Sequence, residues 1–86
     1  MFDIVLDRNA KDNYERLDVN MTARVNTALN IISQNPFFGP NIKKLRGKHR
    51  TGYRCRVGDY RIVYSINTEL KKCIIRGILR HDQAYR

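Results

Sequence analysis

Acidic residues are scarce in this chain. There are eight, against seventeen lysines and arginines, giving a formal net charge of +9. Tryptophan is absent, and cysteine and proline occur twice each. The scarcity of acids and of cysteines each bears on function. The acids Asp3, Asp7, Asp12, Glu15, Asp18, Asp59, Glu69 and Asp82 are scattered and form no ligand motif, which argues against metal catalysis. Cys55 and Cys73 have no metal-binding spacing and fall at strand positions, so buried structural thiols are expected. No serine-nucleophile motif, phosphate-cradling glycine loop or dinucleotide fingerprint occurs, and no cofactor is implied. No apolar run approaches the roughly 20 residues that span a bilayer. Met1 leads into a short strand-like run with Asp3 and Asp7, not into a signal peptide. A cytosolic protein without membrane association is expected.

What is present is positive charge on a small chain. Its 86 residues suit one domain, 1–86, with a single small core. A basic domain of this size binds nucleic acid, an anionic membrane or an acidic protein.

Phe2–Leu6 reads as a short strand. Ala10, Tyr14 and Leu17 make a helical stripe over 8–17. Asp18 or Asn20 can cap a second helix running to about Gln34, with Met21, Val25, Ala28, Leu29 and Ile32 on one side. Asn35-Pro36 stops it. Phe37 and Phe38 follow in a loop and suit the end of a core. From 41 to 51 the chain reads as a basic loop: Lys43, Lys44, Arg46, Lys48, His49 and Arg50, with no acid among them. Ile42 and Leu45 are its apolar anchors. Lys72–Leu79 is nearly continuous in apolar residues, as in a strand covered on both faces. The order β-α-α-β-β-β predicts an α+β domain: two N-terminal helices packed on a mostly antiparallel four-stranded sheet.

The organising stretch is Gly52–Asn67. Two alternating runs flank Gly58-Asp59, a good two-residue hairpin turn. With that loop, Tyr53, Cys55, Val57, Tyr60, Ile62, Tyr64 and Ile66 share a core face. Arg54, Arg56 and Arg61 share the other, with Arg56 opposite Arg61. Like charges so placed repel, so the pairing suggests an anion site. The plain alternative is a solvated, basic sheet face.

Such residues suit metal-free RNA cleavage. A ribose 2′-hydroxyl attacks the neighbouring phosphate; arginines steady the added charge with paired N–H donors. A titratable group takes the 2′ proton and another protonates the departing 5′ oxygen. His81, Tyr85 and His49 are the candidates.

The sequence resembles the RelE/ParE superfamily of toxins from type II toxin-antitoxin systems, closest to RelE-like members. The match runs along nearly the whole chain. Its most specific parts are Lys44-Leu-Arg-Gly47, Tyr53-Arg-Cys-Arg-Val-Gly-Asp-Tyr-Arg-Ile-Val-Tyr64 and the terminal Arg80-His-Asp-Gln-Ala-Tyr-Arg86. The resemblance implies a RelE-like fold and a ribosome-dependent mRNA endoribonuclease that leaves a 2′,3′-cyclic phosphate and inhibits translation. It implies catalytic roles for Arg54, Arg56, Arg61, Arg80 or His81, and Tyr85. Ribosome or RNA contacts then fall to Lys43, Lys44, Arg46, Lys48, His49 and Arg50. Strand positions that are lysine in some relatives are arginine here, and arginine is a poor general base. That moves proton transfer toward His81 and Tyr85. The implied partners are the ribosome with its mRNA and a cognate antitoxin with an acidic wrapping segment. ParE-like members share the fold and inhibit DNA gyrase; an inactive nucleic-acid-binding homologue is a further alternative.

Overall fold

The computed structural model describes residues 1–45 and 52–80. Its elements are β1 (Asp3–Leu6), α1 (Arg8–Glu15), α2 (Val19–Gln34), β2 (Ile42–Lys44), β3 (Gly52–Val57), β4 (Tyr60–Asn67) and β5 (Lys72–Arg80). The strands form one sheet in the order β1-β5-β4-β3-β2. Only β1 runs parallel to its neighbour, β5; the other pairs are antiparallel. Two helices on a mostly antiparallel sheet are the expected α+β class.

The sheet has one strand more than the alternation suggested. β2 spans three residues, too few for a period of two to show. Backbone bonds fix it to β3: Arg56 N–H donates to Asn41 O at 2.9 Å, and Leu45 N–H to Gly52 O at 2.9 Å. The basic stretch is therefore not all loop, and its first part is a sheet edge.

Both helices begin on an aspartate. Asp7 Oδ1 accepts from Ala10 N–H at 2.8 Å, and Asp18 Oδ1 from Met21 N–H at 2.7 Å. Each cap satisfies an otherwise orphaned donor and contributes about 1 kcal/mol. α2 ends at Asn35, which is extended ahead of Pro36.

α1 also solves an edge problem. β1 stops at Leu6, opposite Ile75, while β5 continues to Arg80. The uncovered edge of β5 meets asparagines of α1 instead: Asn9 Nδ2 donates to Arg76 O at 2.9 Å, and Ile78 N–H donates to Asn13 Oδ1 at 3.0 Å. An open strand edge is thereby closed by side chains.

The core lies between the helices and one sheet face. Ala10, Val25, Ala28 and Ile32 meet Cys55, Val57, Ile62, Tyr64, Cys73, Ile75 and Ile78, all buried. Each large aliphatic side chain contributes about 1.5–3 kcal/mol on burial. Aromatic rings finish one end. Phe37 makes edge contacts with Phe2 (5.9 Å) and Tyr53 (6.0 Å), and Tyr53 stacks on Tyr64 at 5.9 Å. The buried Tyr64 hydroxyl donates to Pro36 O at 2.7 Å. Of the two loop phenylalanines, Phe37 plugs the core and Phe38 stays 77% exposed.

The β3–β4 hairpin turns at Gly58-Asp59. Gly58 has φ +57°, while Asp59 keeps a negative φ, the pattern of a type II′ turn.

Candidate functional site

The hairpin register matches the sequence expectation residue for residue. Val57 pairs with Tyr60, Arg56 with Arg61, Cys55 with Ile62, Arg54 with Val63 and Tyr53 with Tyr64. Directly opposed residues point to the same side. Cys55, Ile62 and Tyr64 face the helices, so Arg54, Arg56 and Arg61 share the opposite face.

β2 adds a residue to that face. Lys43 pairs with Arg54 and stands beside it, opposite the helices. Four cations thus gather at one corner of the sheet as two cross-strand pairs, Lys43 with Arg54 and Arg56 with Arg61. Opposed Cβ atoms lie about 4.5–5.5 Å apart. Arg54 and Arg56, two residues apart on β3, are separated by roughly 6.8 Å along the strand. The outward positions of β2, β3 and β4 between Lys43 and Ser65 carry no carboxylate: they are Lys43, Arg54, Arg56, Arg61, Val63 and Ser65. Asp3 and Lys72 share this face only at its other end, where β5 begins.

The four differ in burial. Lys43 and Arg56 are exposed, and Arg54 is half-buried. Arg61 is only 5% exposed. Its strand, β4, is the middle of the five, and its neighbour across β5 is the half-buried Leu79. Strand parity placed Arg61 on the outward basic face; the structure keeps it there and buries it. Its guanidinium carries paired N–H donors of the kind that recognise a phosphate in bidentate fashion.

Two candidates point elsewhere. Lys44 pairs with Tyr53 and so lies on the helix side of β2. Arg80 pairs with Tyr60, which also puts it on the helix side, at the end of β5. Neither joins Arg61 in its row. Arg46, Lys48, His49, Arg50, His81 and Tyr85 lie outside the described residues.

The helix side has its own feature. A groove of about 480 Å³ runs between α2 and the β2–β3 edge, lined by Arg24, Ile31, Ile42, Cys55, Val57 and Gly58 among others. Ile31 is 49% exposed there. The Arg24 guanidinium closes over the hairpin turn, so near that a Cβ on Gly58 would lie 2.8 Å from it.

Neither cysteine is a prepared nucleophile. Burial pushes the Cys73 thiol up to about 11 and raises that of Cys55, with Arg54 pulling the latter partly back. Burial raises the Tyr64 phenol too, helped by Cys55, Cys73 and Tyr53. Both thiols are free. Among the described residues, no group of three or more His, Cys, Asp or Glu side chains could hold a metal ion. Among them, too, no helix is long and apolar enough to cross a membrane.

The place of Lys43 was not legible in the sequence. Lys43 and Lys44 look alike there, and only the pairing of β2 separates them onto opposite faces. The alternation of Ile42 with Lys43 was the sole signal, and it is too short to read alone.

Comparisons with known proteins converge on one group. Residues 4–85 match the family model of the ParE toxin of type II toxin-antitoxin systems, parDE. No curated protein sequence matches the chain. Among solved structures, a YoeB/ParE toxin from Agrobacterium tumefaciens superposes with TM-score 0.83 at 21% identity, over 93% of this chain and 99% of that one. The RelBE2 toxin-antitoxin complex of Mycobacterium tuberculosis matches with TM-score 0.80 at 22% identity, over 92% and 96%. The intact Escherichia coli RelBE toxin-antitoxin complex gives 0.81 at 20% identity, over 93% and 96%. At such identities the likeness carries the fold.

Proposed function

Because the chain belongs to the ParE toxin family of type II toxin-antitoxin systems, within the RelE/YoeB/ParE fold group, we propose that it is a toxin that cuts translated mRNA on the ribosome. The observation that carries this reading is the corner of Lys43, Arg54, Arg56 and Arg61 on the sheet face away from the helices. Directly opposed like charges such as Arg56 and Arg61 repel. A phosphodiester bound beside them offsets that repulsion.

In this mechanism the arginines hold the scissile phosphate. Arg61, the most buried, directs its donors at the non-bridging oxygens, where charge builds as the 2′ oxygen attacks phosphorus. Arg54 and Arg56 flank it and bind the adjoining backbone. The bond to the 5′ oxygen breaks, leaving a 2′,3′-cyclic phosphate and a 5′-hydroxyl. His81 or Tyr85 protonates the departing oxygen in this reading. Lys44, Arg46, Lys48, His49 and Arg50 add charge for ribosomal RNA.

A toxin of this class has a cognate antitoxin. Several structural relatives were solved as toxin-antitoxin complexes. With a net charge of +9 the partner segment should be acidic. The helix-side groove, apolar at Ile31 and Ile42 with Arg24 at its wall, fits an acidic amphipathic segment.

A second reading has its own support. The matching family model is described as ParE, and ParE-like toxins act on DNA gyrase. The two separate cleanly. A translation extract with a reporter mRNA, read by primer extension, gives toxin-dependent stops within the reading frame if the mRNA is cut. Uncut message, together with blocked supercoiling by gyrase, would replace the first reading with the second.

A further inference from the structure

Three of the four cations at the outer corner are arginines, which hold their protons throughout the working range of an enzyme. An attacking 2′-hydroxyl must nevertheless give up its proton to something. Resting on the ribonuclease reading above, we propose that Lys43 on the edge strand β2 is the group that accepts it.

Position and chemistry both single out Lys43. The register makes Lys43 the neighbour of Arg54 on the outward face, whereas Lys44, next in sequence, points to the helix side. Arg56, Arg54 and Arg61 are the charged residues facing Lys43 from β3 and β4, and no carboxylate stands at the outward positions of those strands. Lys43 and Arg61 flank β3 from opposite sides. Two strand spacings of about 4.8 Å and a two-residue offset of about 6.8 Å put their backbones roughly 12 Å apart, with Arg54 and Arg56 between them. In this proposal a phosphate held by the arginines carries one flanking ribose toward β2, the side on which the exposed Lys43 stands.

Lysine is the one side chain of the four with an accessible neutral form, and a neutral amine can act as a general base. The step balances. The neutral Nζ of Lys43 takes the 2′ proton and becomes an ammonium, the 2′ oxygen bonds to phosphorus, and the bond from phosphorus to the 5′ oxygen breaks. The leaving 5′ oxygen takes a proton from an acid of the chain or from water. The new ammonium then stands beside the cyclic phosphate and returns its proton to solvent.

Single-turnover cleavage of mRNA on programmed ribosomes tests this. The full chain is compared with Lys43→Arg and Lys43→Ala across the neutral to basic range. Lys43→Arg keeps the charge, and its rate is read at saturating ribosomes so that any change in affinity is separated from the chemical step. It should lower the cleavage rate by roughly 10²–10⁴-fold and remove the limb of the profile that rises with pH. Added ethylamine should restore part of the Lys43→Ala rate in proportion to its free-base concentration. A Lys43→Arg protein that cleaves at the normal rate with an unchanged profile overturns the inference and leaves the ribonuclease reading standing. A native protein that leaves translated mRNA intact overturns both. Circular dichroism of each variant shows that lost activity is not lost fold.

Discussion

Replacing Arg56 with threonine separates charge placed for function from charge placed for stability. Arg56 and Arg61 are register partners, on the same face of the β3–β4 hairpin. Directly opposed like charges cost about 0.2–1 kcal/mol. Arg56 is exposed, so its removal opens no cavity, and threonine is a good strand former. Taking about 0.5 kcal/mol as the gain, a domain of this size should melt roughly 2–4 °C higher. The gain should shrink with added salt, because at 1 M the screening length falls to about 3 Å. The assay is a pair of thermal melts by circular dichroism, at low and high ionic strength, with mRNA cleavage measured in parallel. The variant should be more stable and less active. An Arg56→Thr protein that melts clearly lower would show that Arg56 has a structural partner, and its role as a substrate ligand would then be dropped.

Further expectations rest on other parts of the fold. Gly58→Ala forces an alanine into positive φ beside the Arg24 guanidinium, and should cost about 1–2 kcal/mol in denaturant melts. Asn13→Ala leaves the Ile78 N–H on the edge of β5 without its acceptor and should cost roughly 1–3 kcal/mol; an unchanged melt would mean that water replaces the side chain. The buried thiols set an alkaline limit. Cys73 holds its proton more tightly folded than unfolded, so its contribution is whole below 9.0 and is lost as pH rises through about 11. That loss is roughly 2–3 kcal/mol, and Tyr64 and Cys55 act in the same direction. Melting temperature should therefore fall steeply above pH 9, and less steeply in Cys73→Ala.

Much of this architecture was legible because local signals were redundant. The hairpin combined period-two alternation with Gly58 at the turn, so the pairing of Arg56 with Arg61 followed from counting. The second helix was framed by Asp18 and by Asn35-Pro36, and its stripe of Val25, Ala28 and Ile32 is the buried one. What escaped was decided by pairing between distant segments. β2 is too short to show a period, and its strand character comes from bonds to β3 rather than from Ile42, Lys43 and Lys44 themselves. The role of Asn9 and Asn13 depends on where β1 ends relative to β5, which no local pattern records. The depth of Arg61 follows from β4 becoming the middle strand, a property of the whole sheet. The side on which Arg80 lies follows from the irregularity between Val63 and Tyr64, which shifts the β5 register and hence its parity.

The most direct test of the account is the chemistry of the RNA end made by the native protein and by Arg61→Ala. A reporter mRNA is translated in extract with each protein, and the new 3′ ends are examined by mass spectrometry. The native protein should make in-frame cuts ending in a 2′,3′-cyclic phosphate. Arg61→Ala with a native circular dichroism spectrum should cleave more slowly by about 10²-fold or more, on the order of losing one transition-state donor. A folded Arg61→Ala protein that cuts at the native rate would contradict the account.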